Sequence, residues 1–216
     1  MAPQRKSFPR LFLTRSGPFR LIGERVFLRA PERGDWEAWA SLRACSRRFL
    51  EPWEPSWPPD ALSRLSFRWR IARYAEDWRT DQAYNFFIYA HDDTLVGGIG
   101  LSNVRRGVSE TASLGYWVGE PHARQGYMTA ALPLVLDFSF AKLRLHRVEA
   151  ACLPTNIPSQ ALLLRAGFHQ EGHARQYLCI EGKWQDHLLF AMLMEDWPPM
   201  IESHVTPRPI KGVFVE

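Results

Sequence analysis

Cysteine is scarce in this chain: Cys45, Cys152 and Cys179 are the only three in 216 residues, and they form no CxxC pair. An odd count with no histidine at ligand spacing excludes a disulfide scaffold and a cysteine-held structural metal, and it fits a reducing compartment such as the cytoplasm. Long apolar runs are missing too. The stretch Leu11 to Leu13 is too short for a secretory signal, and nothing later reaches the roughly 20 residues of a membrane span. There is no internal repeat and no base-reading nucleic-acid motif. Acids are absent from MAPQRKSFPRLFLTRSGPFR, which holds five of the 27 basic residues (Arg5, Lys6, Arg10, Arg15, Arg20). Pro3, Pro9 and Pro18 break the amphipathic helix that a mitochondrial transit peptide requires, so this segment reads as a flexible basic arm.

Outside the arm the chain is almost neutral, since its whole formal charge is only +4. Such a balance suits two uses: holding the phosphates of a nucleotide cofactor, or transient attraction to an acidic surface such as the ribosome. A hydrophobic content of 46% is enough for one compact α/β domain. We expect an arm over 1–19, a domain over 20–195 and a Pro-rich tail over 196–216.

Within the domain, LIGERVFLRA (21–30) alternates as a strand, and the spacing of Trp36, Trp39 and Leu42 is helical. The four prolines of EPWEPSWPP (51–59) predict an extended loop bearing aromatics. A second helix is expected from Asp60 to about Arg79. Strands follow at 84–90, 94–104 and 112–118, a helix at 125–142, a strand at 146–153, a helix at 156–166, and closing strands at 168–180 and 183–194. The predicted order is β-α-α-β-β-β-α-β-α-β-β: a mixed α/β sheet with one βαβ crossover and helices on both faces. Pro133, inside the first of the two later helices, removes a backbone donor and should bend it.

Two segments carry chemistry. In LGYWVGEPHARQGYMT (114–129) an apolar strand runs into a loop, and Gln125-Gly126-Tyr127-Met128 opens a helix. A glycine there lets an anion approach the unpaired N–H groups of the first turn and the positive end of the helix dipole. The segment PTNIPSQALLLRAGF (154–168) places Asn156 and Ser159 at a helix start and Gly167 as a left-handed C-cap before Phe168.

Together these segments resemble the acetyl-CoA site of the GNAT N-acetyltransferase superfamily. The likeness extends over residues 20–195 through RVFLRAPERGDW, LVGGIGLSNV, LGYWV, HRVEAACLPTN and EGKWQDHLLFAML, and it is to the RimJ/RimL-like branch. It implies the GNAT fold, with splayed central strands forming the acetyl-CoA cleft. It also implies direct transfer of acetyl, in a ternary complex and without metal, to the N-terminal α-amine of a protein such as a ribosomal one. Alternatives are a small-molecule amine as acceptor and a CoA-binding protein without catalysis, either as monomer or homodimer. By resemblance the cofactor contacts are Trp117, Val118, Arg124, Gln125, Gly126, Tyr127, Met128, Thr129, Asn156, Ser159 and Arg165.

Acyl transfer from a thioester needs a polarised carbonyl, a proton for the leaving thiolate and a neutral amine. Backbone N–H groups around Tyr116, Trp117 and Val118 serve the first need. The tyrosine that many relatives use for the second is Leu163 here, and Ser159 is the RimL-like substitute. The glutamate that precedes the LGYW segment in the family is Ser113, which leaves Glu110 and Glu149 as candidate bases. Trp53, Trp57, Tyr116, Trp184 and Asp186 are the expected lining of the substrate groove, with an acid there to hold an ammonium.

Overall fold

A computed structural model describes residues 19–197. Eight strands make one sheet in the order β1-β2-β3-β4-β5-β6-β8-β7. Helices α1 (Trp36–Cys45) and α3 (Arg64–Arg79) cover one face, and α4 (Tyr127–Asp137) and α5 (Ile157–Arg165) cover the other. The expected mixed sheet with helices on both faces is therefore present.

The first strand expected from the sequence is a hairpin. Gly23 turns the chain, its N–H donating to the Val26 carbonyl at 2.9 Å, and β1 (Arg20–Ile22) pairs antiparallel with β2 (Val26–Arg29). Alternation continues through such a short turn, so its period could not reveal the break. The first helix ends at Ser46 and is followed by a four-residue helix, α2 (Arg47–Leu50). Glu51–Trp53 forms a 3-10 turn before the Pro-rich loop extends. The next helix starts at Arg64, not Asp60, because Ser63 caps it by accepting from the Ser66 N–H at 3.1 Å. With these changes the order is β-β-α-α-α-β-β-β-α-β-α-β-β.

Strands β3 (Tyr84–Ala90), β4 (Leu95–Arg105) and β5 (Thr111–Val118) form an antiparallel meander. The α4 crossover then leads to β6 (Arg147–Cys152), the parallel neighbour of β5. That parallel ladder joins only Thr111–Leu114 to Arg147–Ala150. Beyond it β6 stays with β8 (Lys183–Leu193), which pairs through to Cys152 and carries β7 (His169–Ile180) at the edge. The second half of β5 thus leaves β6 and opens a wedge in the sheet.

Alternation explains which face each residue serves. Ala112, Leu114, Val148 and Ala150 join Phe86, Ile99, Leu136, Leu163 and Phe190 in the core under α4 and α5. Phe67 of α3, fully buried, packs on Trp39 of α1 at 4.9 Å and, with Phe87 and Tyr89, makes the core of the opposite face. Burying a ring of this size stabilises by about 2–3 kcal/mol. Pro133 lies inside α4, where it cannot donate to the Thr129 carbonyl. The turn that follows, Phe138–Lys142, is π-helical.

The arm and tail lie largely outside the described residues, but both margins pack on the domain. Phe19 meets Trp78 and Phe138 at 5.9 and 5.6 Å. Trp197 Nε1 donates to buried Asp137 Oδ1 at 2.8 Å.

Candidate active site

The loop before α4 has the shape of an anion cradle. Gly126 is the N-cap with φ of 80°, Arg124 also has a positive φ of 61°, and no side chain caps the first turn. Backbone donors of that turn and the positive dipole end are thereby left for a ligand. Gln125 instead ties the loop, its Nε2 donating to the Pro121 carbonyl at 2.8 Å. A cation not expected from the sequence stands here. Arg25, in the turn between β1 and β2, lies over the Tyr127 ring at 5.6 Å, and its Nη1 would be 2.9 Å from a Cβ built on Gly126. The left-handed φ is what favours glycine here, and a side chain in its place would also push the Arg25 guanidinium aside.

Where β5 and β6 separate there is a cavity of about 440 Å³ lined by Tyr116, Cys152, Asn156, Ser159, Cys179 and His187, with Trp53 and Pro55 as a roof. Because the β5 ladder toward β6 stops at Leu114, backbone groups from Gly115 to Val118 face the cavity side without a strand partner. Asn156 Oδ1 accepts from the Ser159 N–H at 3.1 Å and so starts α5. Ser159 Oγ lies 2.7 Å from the Tyr116 hydroxyl. Burial pushes the Tyr116 phenol up to about 12, against a lowering by the Ser159 hydrogen bond. Burial also raises the Cys152 thiol above its ordinary range.

On the α1/α3 face a second cavity of about 340 Å³ is lined by Trp39, Arg43, Glu54, Arg70, Tyr74, Asn85 and Trp117, and its floor is Gly98, Gly100 and Gly115. The floor glycines are consecutive residues of that face in β4 and β5. A Cβ on Gly98 would sit 2.4 Å from Trp117 Nε1, and one on Gly100 would sit 2.8 Å from Asn85 Oδ1. Pro55, Gly115 and Tyr116 line both cavities. The two cavities therefore border each other at Pro55, Gly115 and Tyr116.

Several expected lining residues serve elsewhere. Trp57 Nε1 donates to Glu54 Oε2 at 2.8 Å, and its ring lies 4.2 Å from the Arg43 guanidinium carbon. Arg43 in turn holds Glu54 through two hydrogen bonds of 2.8 and 2.6 Å. Trp184 is exposed and lines neither cavity. Asp186 accepts from the Gln176 N–H at 2.9 Å and pairs with His173 at 3.1 Å, so it braces the β7–β8 hairpin. Trp117 turns its indole to the α1 face, 4.9 Å from the Arg43 guanidinium carbon, and lines the second cavity and not the wedge cavity. Val118 ends β5 opposite Gly97. Met128 and Thr129 stand in the first turn of α4. Arg165 donates to the Ala161 carbonyl on exposed α5.

The candidate bases are also engaged. Glu110 sits in the β4–β5 turn with φ of 39°, bonded to Arg106 at 3.1 Å and to the Gly107 N–H at 2.9 Å. It lines neither cavity. Glu149 accepts from Arg147 at 2.9 Å. Leu163 is wholly buried in the core and lines neither cavity.

Residues 25–169, which hold the cradle and both strands of the wedge, match a family model described as Acetyltransferase (GNAT) domain. The chain belongs to the GNAT acetyltransferase family. It is 38% identical over 177 residues to "Probable N-acetyltransferase YjcK" of Bacillus subtilis, covering 82% of this chain and 98% of that one. To the [ribosomal protein uS5]-alanine N-acetyltransferase of Escherichia coli it is 33% identical over 183 residues, covering 83% and 93%. Among solved structures it is similar to Mycobacterium smegmatis RimJ in complex with CoA-disulfide, with TM-score 0.77, 36% identity and coverage of 84% and 88%. This GNAT enzyme is an acetyl-CoA-dependent N-acetyltransferase with RimJ/RimL-type relatives. Among the described residues no cluster of His, Cys, Asp or Glu could hold a metal ion, and no helix is long and apolar enough to cross a membrane.

Proposed function

We propose that the enzyme acetylates the N-terminal α-amine of a protein, a ribosomal protein in the first instance, by direct transfer within a ternary complex in the cytoplasm. The observation that carries this reading is that two cavities border each other at Gly115. Acetyl-CoA supplies the activated acetyl group from the cradle side, through the first turn of α4 and the cations Arg25 and Arg124. The acceptor has its own opening on the α1/α3 face. That groove is open, and its acid, Glu54, is already paired with Arg43. An open groove with a glycine floor suits an extended chain end better than a closed acidic pocket would.

Chemistry points the same way. At pH 7 an α-amine, with pKa about 7.7 to 8.0, is on the order of a tenth neutral, whereas a lysine at about 10.4 is neutral in a few parts in ten thousand. A site with no free carboxylate among the described residues beside the acceptor favours the first. The unpaired N–H groups of β5 after Leu114 polarise the thioester carbonyl, and the Tyr116–Ser159 pair donates a hydrogen bond to the departing thiolate. A phenol near 12 is too weak an acid to surrender its proton fully to a thiolate with an ordinary pKa of about 8.5. The pair therefore stabilises charge without having to ionise. The basic arm supplies transient attraction to the ribosome.

The test is acetyl-CoA turnover, followed by thiol release, on short peptides with free or blocked N-termini and on small amines. Activity confined to free N-termini supports the reading, and preference for small amines overturns it.

A further inference from the structure

We propose that His187 is the base that takes the proton from the incoming ammonium. The inference rests on acetyl transfer to an amine, but not on which amine is used.

The walls of the wedge cavity contain four titratable side chains: Tyr116, Cys152, Cys179 and His187. Tyr116 and Cys152 are both pushed toward their protonated forms by burial. Glu54 in the acceptor groove, Glu110, Glu149 and Asp186 each accept from cations or N–H donors. None of these carboxylates lines the wedge.

The sheet sets the position of His187. The β6–β8 ladder ends with Cys152 opposite Leu188, so His187 is the β8 residue just past the end of β6, beside the gap that β5 leaves. It is 3% exposed. Its Nδ1 lies 3.0 Å from the Gln185 carbonyl. A carbonyl can only accept, so in the neutral ring the hydrogen is on Nδ1 and the lone pair on Nε2. Nε2 makes no hydrogen bond among the described residues. Tyr177 of β7 packs edge-on against the ring at 5.8 Å and holds its plane. On the same hairpin, Asp186 and His173 are paired with each other. From the 51–59 loop only Trp53 and Pro55 reach the cavity.

The proton balance is simple. The ammonium N–H proton passes to Nε2, directly or through one water, giving an imidazolium. The freed nitrogen lone pair forms the amide bond as the carbon–sulfur bond breaks, the thiolate takes one proton from solvent, and the nitrogen loses its second proton to solvent as the amide forms. Nε2 then releases its own proton to solvent. From the ammonium form of the amine, one proton is released per turnover.

The test uses the full chain, acetyl-CoA and the amine from the panel that is turned over fastest. His187→Asn keeps a donor for the Gln185 carbonyl and removes the Nε2 lone pair. We expect kcat to fall on the order of 100-fold or more, with acetyl-CoA KM and the melting temperature little changed. The acid limb of the kcat/KM profile should move toward the pKa of the amine itself. In His187→Ala, added imidazole should restore turnover in a saturable way. A His187→Asn enzyme with wild-type kcat and an unchanged acid limb overturns the proposal. So does loss of activity in both variants with no response to imidazole, which would assign the histidine a packing role. Should His187→Asn fail to fold, His187→Gln and the imidazole titration decide in the same way. A panel in which only small amines react refutes the α-amine reading but leaves this test intact, so the two failures are distinct.

Discussion

The hydroxyls of Tyr116 and Ser159 stand 2.7 Å apart across the wedge, one on β5 and the other in the first turn of α5. Either can donate to the other, so removing one reorients the survivor. Ser159→Ala and Tyr116→Phe should each lower kcat by about 10- to 100-fold, or roughly 1.4 to 2.7 kcal/mol. The double variant should lose little more than either single one, because the pair acts as a unit. The Asn156 cap is made to the backbone N–H of Ser159 and survives the change, so stability should move by under about 1 kcal/mol. Additive losses in kcat would dissolve the coupling.

Gly115 and Gly100 offer a contrast on one face. A Cβ at Gly115 meets nothing within 4 Å and stands where the cavities border each other. Gly115→Val should therefore fold with an equal or higher melting temperature, since a β-branched residue suits a strand, while kcat/KM for the acceptor falls by about 10-fold or more through obstruction. At Gly100 the new Cβ would press on Asn85 Oδ1 and lie 3.0 Å from the Tyr84 carbonyl. Gly100→Ala should cost about 1–3 kcal/mol of stability. Denaturant melts and steady-state kinetics on the two variants separate these effects.

Arg25 reaches the cradle without touching the reacting atoms. Arg25→Ala should raise acetyl-CoA KM by about 5- to 10-fold and leave kcat within about twofold, with the difference shrinking as salt is added because the residue is exposed. A fall in kcat at saturating acetyl-CoA would show that Arg25 acts beyond binding.

Asp137 gives a pH dependence with a definite sign. Burial pushes its carboxyl up, partly opposed by the Trp197 hydrogen bond, and Oδ2 is buried with no partner among the described residues. A carboxyl that binds its proton more tightly when folded contributes stability at pH below its unfolded value of about 3.9, and that contribution is lost as pH rises through the higher folded value. Asp137→Asn should therefore gain on the wild type between about pH 4 and pH 7, by roughly 1–3 kcal/mol, the cost of an unsatisfied buried polar atom. Thermal melts at both pH values measure it, and a constant difference would disprove the assignment.

What was legible in the sequence was local. Gly126 and Gly167 announced a helix start and a helix stop; Gly167 has the left-handed φ, 93°, expected of a C-cap, and Gly126 proves left-handed too, at 80°. Asn156 was readable as a cap because its partner is three residues away. The residues that escaped are those whose roles depend on distant neighbours. Arg25 lies about a hundred residues before Gly126, and nothing in its own segment marks it. Trp57 and Asp186 looked like lining because aromatics and acids are common in grooves, yet their partners Glu54 and Gln176 fix them elsewhere. His187 alternates in a strand like its neighbours, and only the parting of β5 from β6 reveals that it borders a cavity. The hairpin at Gly23 was hidden because a tight turn hardly interrupts a period of two.

The roof of the wedge joins segments far apart in the chain: the Glu181 N–H donates to the Glu54 carbonyl at 3.0 Å, stitching the β7–β8 turn to the Pro-rich loop. Neither segment contributes to the cradle at α4. In the proposed function, where the roof and groove select the acceptor and the cradle holds the donor, the first can thus accumulate substitutions, insertions or a new loop length without disturbing the second. A duplicated copy of this chain could drift to a new acceptor while its grip on the acyl carrier stays as it is.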